Sequence, residues 1–283
     1  MRWTRRRFVQ AGSAAIAGGL GVGLYTWRVE PHWLELTRRP LPVAGLPPVR
    51  QHGQGGLLDV VLHPAFDDNR LVYFSYAEEG ADGFGTAVAR GRVEQDALQD
   101  VEVLFRMQPK SNGRRHFGSR LVFDREGHLY ITLGDRGDRP RAQDLDDHAG
   151  SVIRLRDDGS IPADNPFVGK ADARPEIYSY GHRNIQGATL DPSSGRLWTH
   201  EHGPQGGDEI NLPAPGVNYG WPVITYGVNY GIGTAIGEGT AKPGMLDGVA
   251  RKAVLGRLAQ LTEDALTVVD GDTVQRFGSD RGE

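Results

Sequence analysis

A strand–turn–strand unit recurs three times along this chain, and that recurrence limits the fold more than any other feature. The first copy runs Leu57-Leu58-Asp59-Val60-Val61-Leu62-His63-Pro64, then Asn69-Arg70-Leu71-Val72-Tyr73-Phe74. The second is Arg120-Leu121-Val122-Phe123-Asp124, then Gly127-His128-Leu129-Tyr130-Ile131-Thr132. The third is Gly187-Ala188-Thr189-Leu190-Asp191-Pro192, then Gly195-Arg196-Leu197-Trp198-Thr199. The equivalent turn positions His63, Asp124 and Asp191 lie 61 and 67 residues apart. Short apolar runs bounded by Gly, Pro, Asp and Asn read as strands joined by tight turns. Self-similarity of this kind marks a fold built by repeating one supersecondary unit. A unit of about 60 residues holds a four-stranded propeller blade with one long loop. Thr86–Val93 alternates small or apolar with polar residues, and so does Ser151–Arg156 before the turn Asp157-Asp158-Gly159. Both fit the remaining blade strands.

The expected fold class is therefore all-β, a propeller. Forty Gly and 17 Pro in 283 residues suit many short strands and turns rather than long helices. Roughly 240 residues follow the N-terminal segment and linker, which gives about four blades at about 60 residues each. A closed ring needs more at this blade size, so the propeller is expected to be incomplete. The C-terminal tail reads differently. Val254, Leu255, Leu258, Leu261 and Leu266 recur at three- and four-residue spacing, which predicts a helix over Val249–Leu266. Thr267–Phe277 reads as a hairpin around Asp270-Gly271-Asp272.

The N-terminus carries a different signal. Arg2 and Thr4-Arg5-Arg6-Arg7-Phe8 precede a Gly/Ala-rich apolar run from Ala11 to Leu24. A charged start followed by a short apolar stretch is an export signal. The Thr-Arg-Arg-x-Phe arrangement resembles the twin-arginine type, which is read by the Tat translocon. The run is shorter than the roughly 20 residues of a spanning helix. No small-x-small cleavage site follows Leu24, so an uncleaved anchor also fits. The organisation expected is a signal or anchor over 1–27, a linker over 28–48, a partial propeller over 49–245 and a divergent tail over 246–283. The expected location is the periplasm or the cell exterior. The absence of Cys excludes disulfides and thiolate metal sites. A net charge of only −4 offers no basic surface for nucleic acid.

Chemistry-bearing residues gather in loops at equivalent edges of the repeats. Gln51–Gly56 and Arg114–Arg120 precede the first and second units, and Gly134–Asp138 follows the second. Tyr180-Gly181-His182-Arg183-Asn184 precedes the third unit, and His200–Glu209 follows it. Such edges converge on one mouth of a propeller's channel, and His, Arg, Asn and Asp from separate blades can build one site there. His200-Glu201-His202 suggests a metal at first sight. Two zinc ligands on a helix need one turn between them, and this spacing at a strand end is too short.

In order along the chain, Gly53-Gln54-Gly55-Gly56-Leu57-Leu58, His116-x-Gly118-Ser119-Arg120-Leu121, Leu133-Gly134-Asp135, Tyr180–Asn184 and His202-Gly203-Pro204-x-Gly206-Gly207-Asp208-Glu209-Ile210-Asn211 resemble the soluble quinoprotein glucose and aldose sugar dehydrogenases. Asn218-Tyr219-Gly220-Trp221-Pro222 and Gly237–Gly244 resemble the aldose branch. The resemblance covers about Gly53 to Met245. It implies a six-bladed β-propeller that binds pyrroloquinoline quinone (PQQ) with Ca²⁺ beneath it and oxidises aldoses at the anomeric carbon to lactones. An external acceptor, whether a quinone, a dye or a cytochrome, would then take the electrons.

The resemblance also implies roles. His116 matches the general base and Asp135 the carboxylate that orients it. Arg183 and Asn184 match groups holding the quinone, and Gln54 a polar residue beside cofactor and substrate. His202 matches a cofactor contact, Asp208 an acid near the cofactor, and Gly203 and Pro204 the carbonyl ligands of Ca²⁺. Family members continue through two further blades whose basic residues pair with the cofactor carboxylates. Leu246–Glu283 does not resemble those blades, which a truncated or frame-shifted product or a divergent member would explain, and weak or no activity is expected. Two other classes stay open from the residues alone: a non-catalytic binding propeller, and a Ca²⁺-dependent lactonase-type hydrolase.

Overall fold

The computed structural model describes residues 44–95 and 97–246, and the strands Leu266–Asp270 and Thr273–Phe277. These residues are nearly all β. Strands β1 (Leu57–Leu62), β2 (Leu71–Gly80), β3 (Gly83–Glu94) and β4 (Ala97–Arg106) form one four-stranded antiparallel sheet in sequence order. A second such sheet holds β5 (Leu121–Phe123), β6 (His128–Thr132), β7 (Val152–Arg156) and β8 (Ile177–Ser179). β9 (Ile185–Leu190), β10 (Leu197–Glu201) and β11 (Glu209–Asn211) make a three-stranded third. The two small helical pieces are α1 (Phe66–Asn69) and a 3-10 turn over Arg139–Gln143.

The meander order and the spacing of the three sheets are those of successive propeller blades, as the repeat predicts. Set against an expectation of about four blades, the described residues build two complete blades and a three-stranded third. The expected tail hairpin is present: β12 (Leu266–Asp270) pairs antiparallel with β13 (Thr273–Phe277), closing on Asp270 opposite Thr273. The helix expected over Val249–Leu266 lies outside the described residues, except that Leu266 opens β12. Residues 1–43, with the expected signal and most of the linker, also lie outside them. No helix among the described residues is long and apolar enough to cross a membrane.

The recurring turn residue does the same job in each blade. His63 Nδ1 accepts the N–H of Ala65 at 3.0 Å. Asp124 Oδ1 accepts that of Glu126 at 2.9 Å, and Asp191 Oδ1 that of Ser193 at 3.0 Å. A side-chain acceptor that captures the N–H two residues on builds the turn locally, which is why His or Asp stands there.

Burial explains the strand compositions. β2 reads as a nearly continuous apolar run because both its faces are covered. Tyr73 packs with Val88 and Phe105 into a cluster shared with Leu121, Leu129, Ile131 and Ile153 of the second blade. Phe74 and Tyr76 point the other way, against Ala87 and Ala89. Tyr130, Val152, Ile185 and Leu197 join the second blade to the third. One face of the first blade is thus buried against the second, and the second against the third.

In an antiparallel pair, the start of one strand and the end of the next lie at the same end. The loops before β1, β5 and β9 and after β6 and β10 therefore share one edge of the blades. Those loops carry Gln54, His116, Arg183 with Asn184, Asp135, and His202 to Asp208.

Candidate active site

His116 and Asp135 meet there. His116 Nδ1 lies 2.6 Å from Asp135 Oδ1, and both side chains are buried. Asp135 also accepts the N–H of Gly137 on Oδ1 at 2.7 Å and the indole N–H of Trp221 on Oδ2 at 2.8 Å. A carboxylate with those donors is an acceptor on its His side as well, so the imidazole presents Nδ1–H to it. Nε2 is left as the basic nitrogen.

The backbone at His116 is left-handed, with φ +56°. A non-glycine residue adopts that conformation only where its surroundings overdetermine it. They do. Gln54 Oε1 accepts the His116 N–H at 2.8 Å, and Gln54 N–H donates to the Arg114 carbonyl at 2.8 Å. Thr86 Oγ1 donates to the Phe117 carbonyl at 2.9 Å, and Asn184 Oδ1 accepts the Gly118 N–H at 3.2 Å. A Cβ on Gly134 would strike the His116 carbonyl and lie 2.8 Å from Asn184 Oδ1, so glycine alone lets the two loops close.

Arg183 and Asn184 belong to the same cluster. The Asp135 N–H donates to the Arg183 carbonyl at 2.8 Å, and Arg183 Nη1 donates to the His202 carbonyl at 2.7 Å. The guanidinium lies 5.4 Å from the Trp221 ring centroid, a cation–π distance. Burial pushes the Arg183 guanidinium below its ordinary value, while Asp135, Tyr230 and Glu201 oppose that shift. Asn184 is buried, and its amide oxygen already serves Gly118 and Gln186. Its amide N–H groups remain for other work.

The third loop is more open. His202 and Asp208 are exposed, with Nδ1 and Oδ1 3.9 Å apart. Asp208 Oδ1 accepts the Gly203 N–H at 2.9 Å, which closes the 203–208 turn. Gly203 and Pro204 are buried, and no hydrogen bond among the described residues ends on either carbonyl oxygen. Gln54, His116, Asp135, Arg183, Asn184 and His202 thus lie in one hydrogen-bonded neighbourhood, with the 203–208 turn continuing from His202.

The family model for Glucose / Sorbosone dehydrogenase matches residues 32–275 of this chain. The chain belongs to that family. Its match extends past the Gly53–Met245 span that carries the motifs, on both sides. The chain is 52% identical over 202 residues to Aldose sugar dehydrogenase YliI of Escherichia coli (strain K12), covering 70% of this chain and 54% of that relative. It is 34% identical over 200 residues to Quinoprotein glucose dehydrogenase B of Acinetobacter calcoaceticus, covering 61% of this chain and 41% of that one. A crystal structure of the soluble aldose sugar dehydrogenase from Escherichia coli in the apo-form superposes with a TM-score of 0.73 at 41% identity, over 87% of this chain and 78% of the other. The PQQ-bound form of aldose sugar dehydrogenase from Streptomyces coelicolor gives 0.59 at 29% identity, over 83% and 63%. The chain spans about half the length of the curated relatives it matches.

Sequence reasoning overlooked three residues. Trp221 stood in a recognised motif without a role. A buried indole N–H needs an acceptor, but 86 residues separate it from Asp135 and no local pattern joins them. Glu201 looked like part of a metal motif. Strand alternation instead turns it away from His200 and into the protein. It is buried, accepting from His182 Nδ1 at 2.9 Å, Asn211 Nδ2 at 2.7 Å, and the N–H groups of Arg183 and Asn184. It therefore holds the Arg183–Asn184 loop. The third is Arg136.

Proposed function

We propose that this chain is a sugar dehydrogenase domain that oxidises the anomeric hydroxyl of an aldose to the lactone, using PQQ and Ca²⁺. The observation that carries this reading is the His116–Asp135–Trp221 chain of hydrogen bonds beside Arg183 at one edge of the blades.

The residues present suit both groups. Gly203 and Pro204, buried residues whose carbonyl oxygens take no donor among the described residues, are the oxygen-only set a hard cation prefers. Arg183 forms no ion pair with a carboxylate among the described residues, and its half-buried cation suits an anionic, oxygen-rich quinone. Asn184 and Gln54 each keep an amide donor that would serve it, and the exposed His202 and Asp208 would border it. When bound, PQQ supplies the acceptor for the hydride lost from the anomeric carbon, and Ca²⁺ supplies Lewis-acid charge; no side chain offers either.

The chain's own contribution is proton handling and position. His116 Nε2 takes the proton of the anomeric hydroxyl. Asp135, already hydrogen-bonded to Nδ1, stabilises the imidazolium that results. Trp221 and Gly137 keep the carboxylate turned toward His116. Arg183 places positive charge where negative charge develops. Electrons leave to an external quinone, dye or cytochrome. The twin-arginine pattern at Arg5-Arg6 supports export through the Tat translocon, to the periplasm or the cell exterior.

The test is reconstitution. Adding PQQ with Ca²⁺ is expected to shift the quinone absorbance, and a chelator or Arg183→Met is expected to reverse it. Whatever aldose-dependent dye reduction the reconstituted parent shows is expected to be lost in His116→Gln. No quinone binding at micromolar protein and quinone, with Ca²⁺ present, would overturn the reading.

A further inference from the structure

Arg136 follows Asp135, and its side chain is 2% exposed, which makes it the largest fully buried side chain described. A buried guanidinium is expensive to keep unless its charge and donors are matched. No carboxylate forms an ion pair with it among the described residues, and its Nε has no hydrogen-bond partner. Burial pushes it down to about 9, with the nearby Arg141 acting in the same direction and Asp135 opposing, so it is still a cation at neutral pH. What matches it is the loop that carries His116. Nη1 donates to the Arg115 carbonyl and Nη2 to the Gly113 carbonyl. The guanidinium carbon lies over the Phe117 ring, 3.3 Å from its centroid. Its contacts therefore bracket His116 on both sides in sequence. A Cβ on Gly113 would collide with the Arg136 carbonyl, so the two backbones are also in direct contact.

We propose that Arg136 is the positioning residue for His116. It holds the carbonyls of Gly113 and Arg115 and the Phe117 ring in one plane-and-fork grip, and so keeps His116 in its left-handed backbone conformation with Nδ1 toward Asp135. The inference rests on the reading of His116 as the proton acceptor. Arginine is required for geometric reasons. Two carbonyls and an aromatic face need a planar group with divergent donors, which an ammonium cannot supply. The placement is economical in sequence. Asp135 orients the imidazole, and the next residue, itself at φ +58°, holds the loop that carries it.

A merely structural arginine would change stability and leave the folded site as it was. The measurement is therefore made on His116 itself, in the quinone-free protein below its melting temperature. In nitrogen-labelled protein the parent is expected to show a protected, downfield Nδ1–H resonance, assigned by its loss in His116→Gln. In Arg136→Lys that resonance is expected to broaden or vanish while the protein stays folded. In the reconstituted enzyme, kcat is expected to fall about 10²-fold, with KM for the sugar nearly unchanged. Phe117→Leu keeps an apolar filler and removes the ring, and it is expected to move both readouts the same way; it decides the matter if Arg136→Lys does not fold. A parental Nδ1–H resonance in a folded variant would overturn the proposal. A parent protein with that resonance and no sugar oxidation would instead remove the functional reading, leaving the resonance to decide Arg136's role alone.

Discussion

Asp135→Asn perturbs the site most informatively, because the two side chains match in shape and differ at a single acceptor. Asp135 is 1% exposed and accepts three N–H groups: His116 Nδ1 at 2.6 Å, Trp221 Nε1 at 2.8 Å and Gly137 N at 2.7 Å. An amide has one oxygen. If that oxygen faces His116 and Gly137, the NH₂ confronts the indole N–H. If it faces Trp221, the NH₂ confronts the Gly137 N–H and donates to His116 Nδ1. The second arrangement puts the imidazole proton on Nε2, which abolishes the base. Either way a buried donor is left unpaired, at about 1–3 kcal/mol. A carboxylate-to-amide change beside a general-base histidine lowers turnover by about 10⁴-fold through the wrong tautomer. The expected result is a fall of about 10³- to 10⁴-fold in kcat for dye-linked aldose oxidation, with a modest loss in urea-unfolding free energy. Trp221→Phe removes only one of the three donors and should cost about 1–3 kcal/mol of stability and far less turnover. Were Asp135→Asn to keep kcat within about tenfold of the parent, the assignment of the pair as base and orienting carboxylate would fail.

Glu201→Gln should unpair two of the four donors that converge on that carboxylate, lowering stability by about 2–6 kcal/mol in urea unfolding and weakening quinone affinity through the Arg183–Asn184 loop. A second expectation concerns pH. Burial pushes His148 below its ordinary value. Its Nδ1 accepts the Gln108 N–H at 2.9 Å, so a neutral ring donates from Nε2 to Glu176 at 2.7 Å. Because the folded state prefers the neutral ring, this contribution is complete above the unfolded value of about 6.5 and is lost as pH falls below it, by about 1.4 kcal/mol per pH unit. Thermal melts from pH 7.5 to 5 should show that slope, and His148→Gln, which keeps one donor and one acceptor, should flatten it.

The sequence by itself determined the repeating unit, because each turn is built from neighbouring atoms. His63, Asp124 and Asp191 each capture an N–H two residues on, and strand alternation around them follows from period two. It also determined which loops share an edge, since antiparallel pairing sends alternate connections to the same end. That is why Gln54, His116, Asp135, Arg183, Asn184 and the 202–208 turn could be gathered into one site before any coordinates. The connections were less legible: the stretch after β11 as far as Leu246 runs as loops and isolated bridges, which follow no strand or helix period.

Only the tertiary structure decided what holds the site residues in place. Trp221 reaches Asp135 across 86 residues, and Glu201 reaches His182 and the Arg183–Asn184 backbone from a different strand. Arg136, which no sequence pattern singled out, is buried against the loop that carries His116. Donor and acceptor types can be read from a sequence, but which buried donor meets which acceptor is set by the closing of whole sheets on one another. The roles of the interior charges therefore emerge only once the blades have packed.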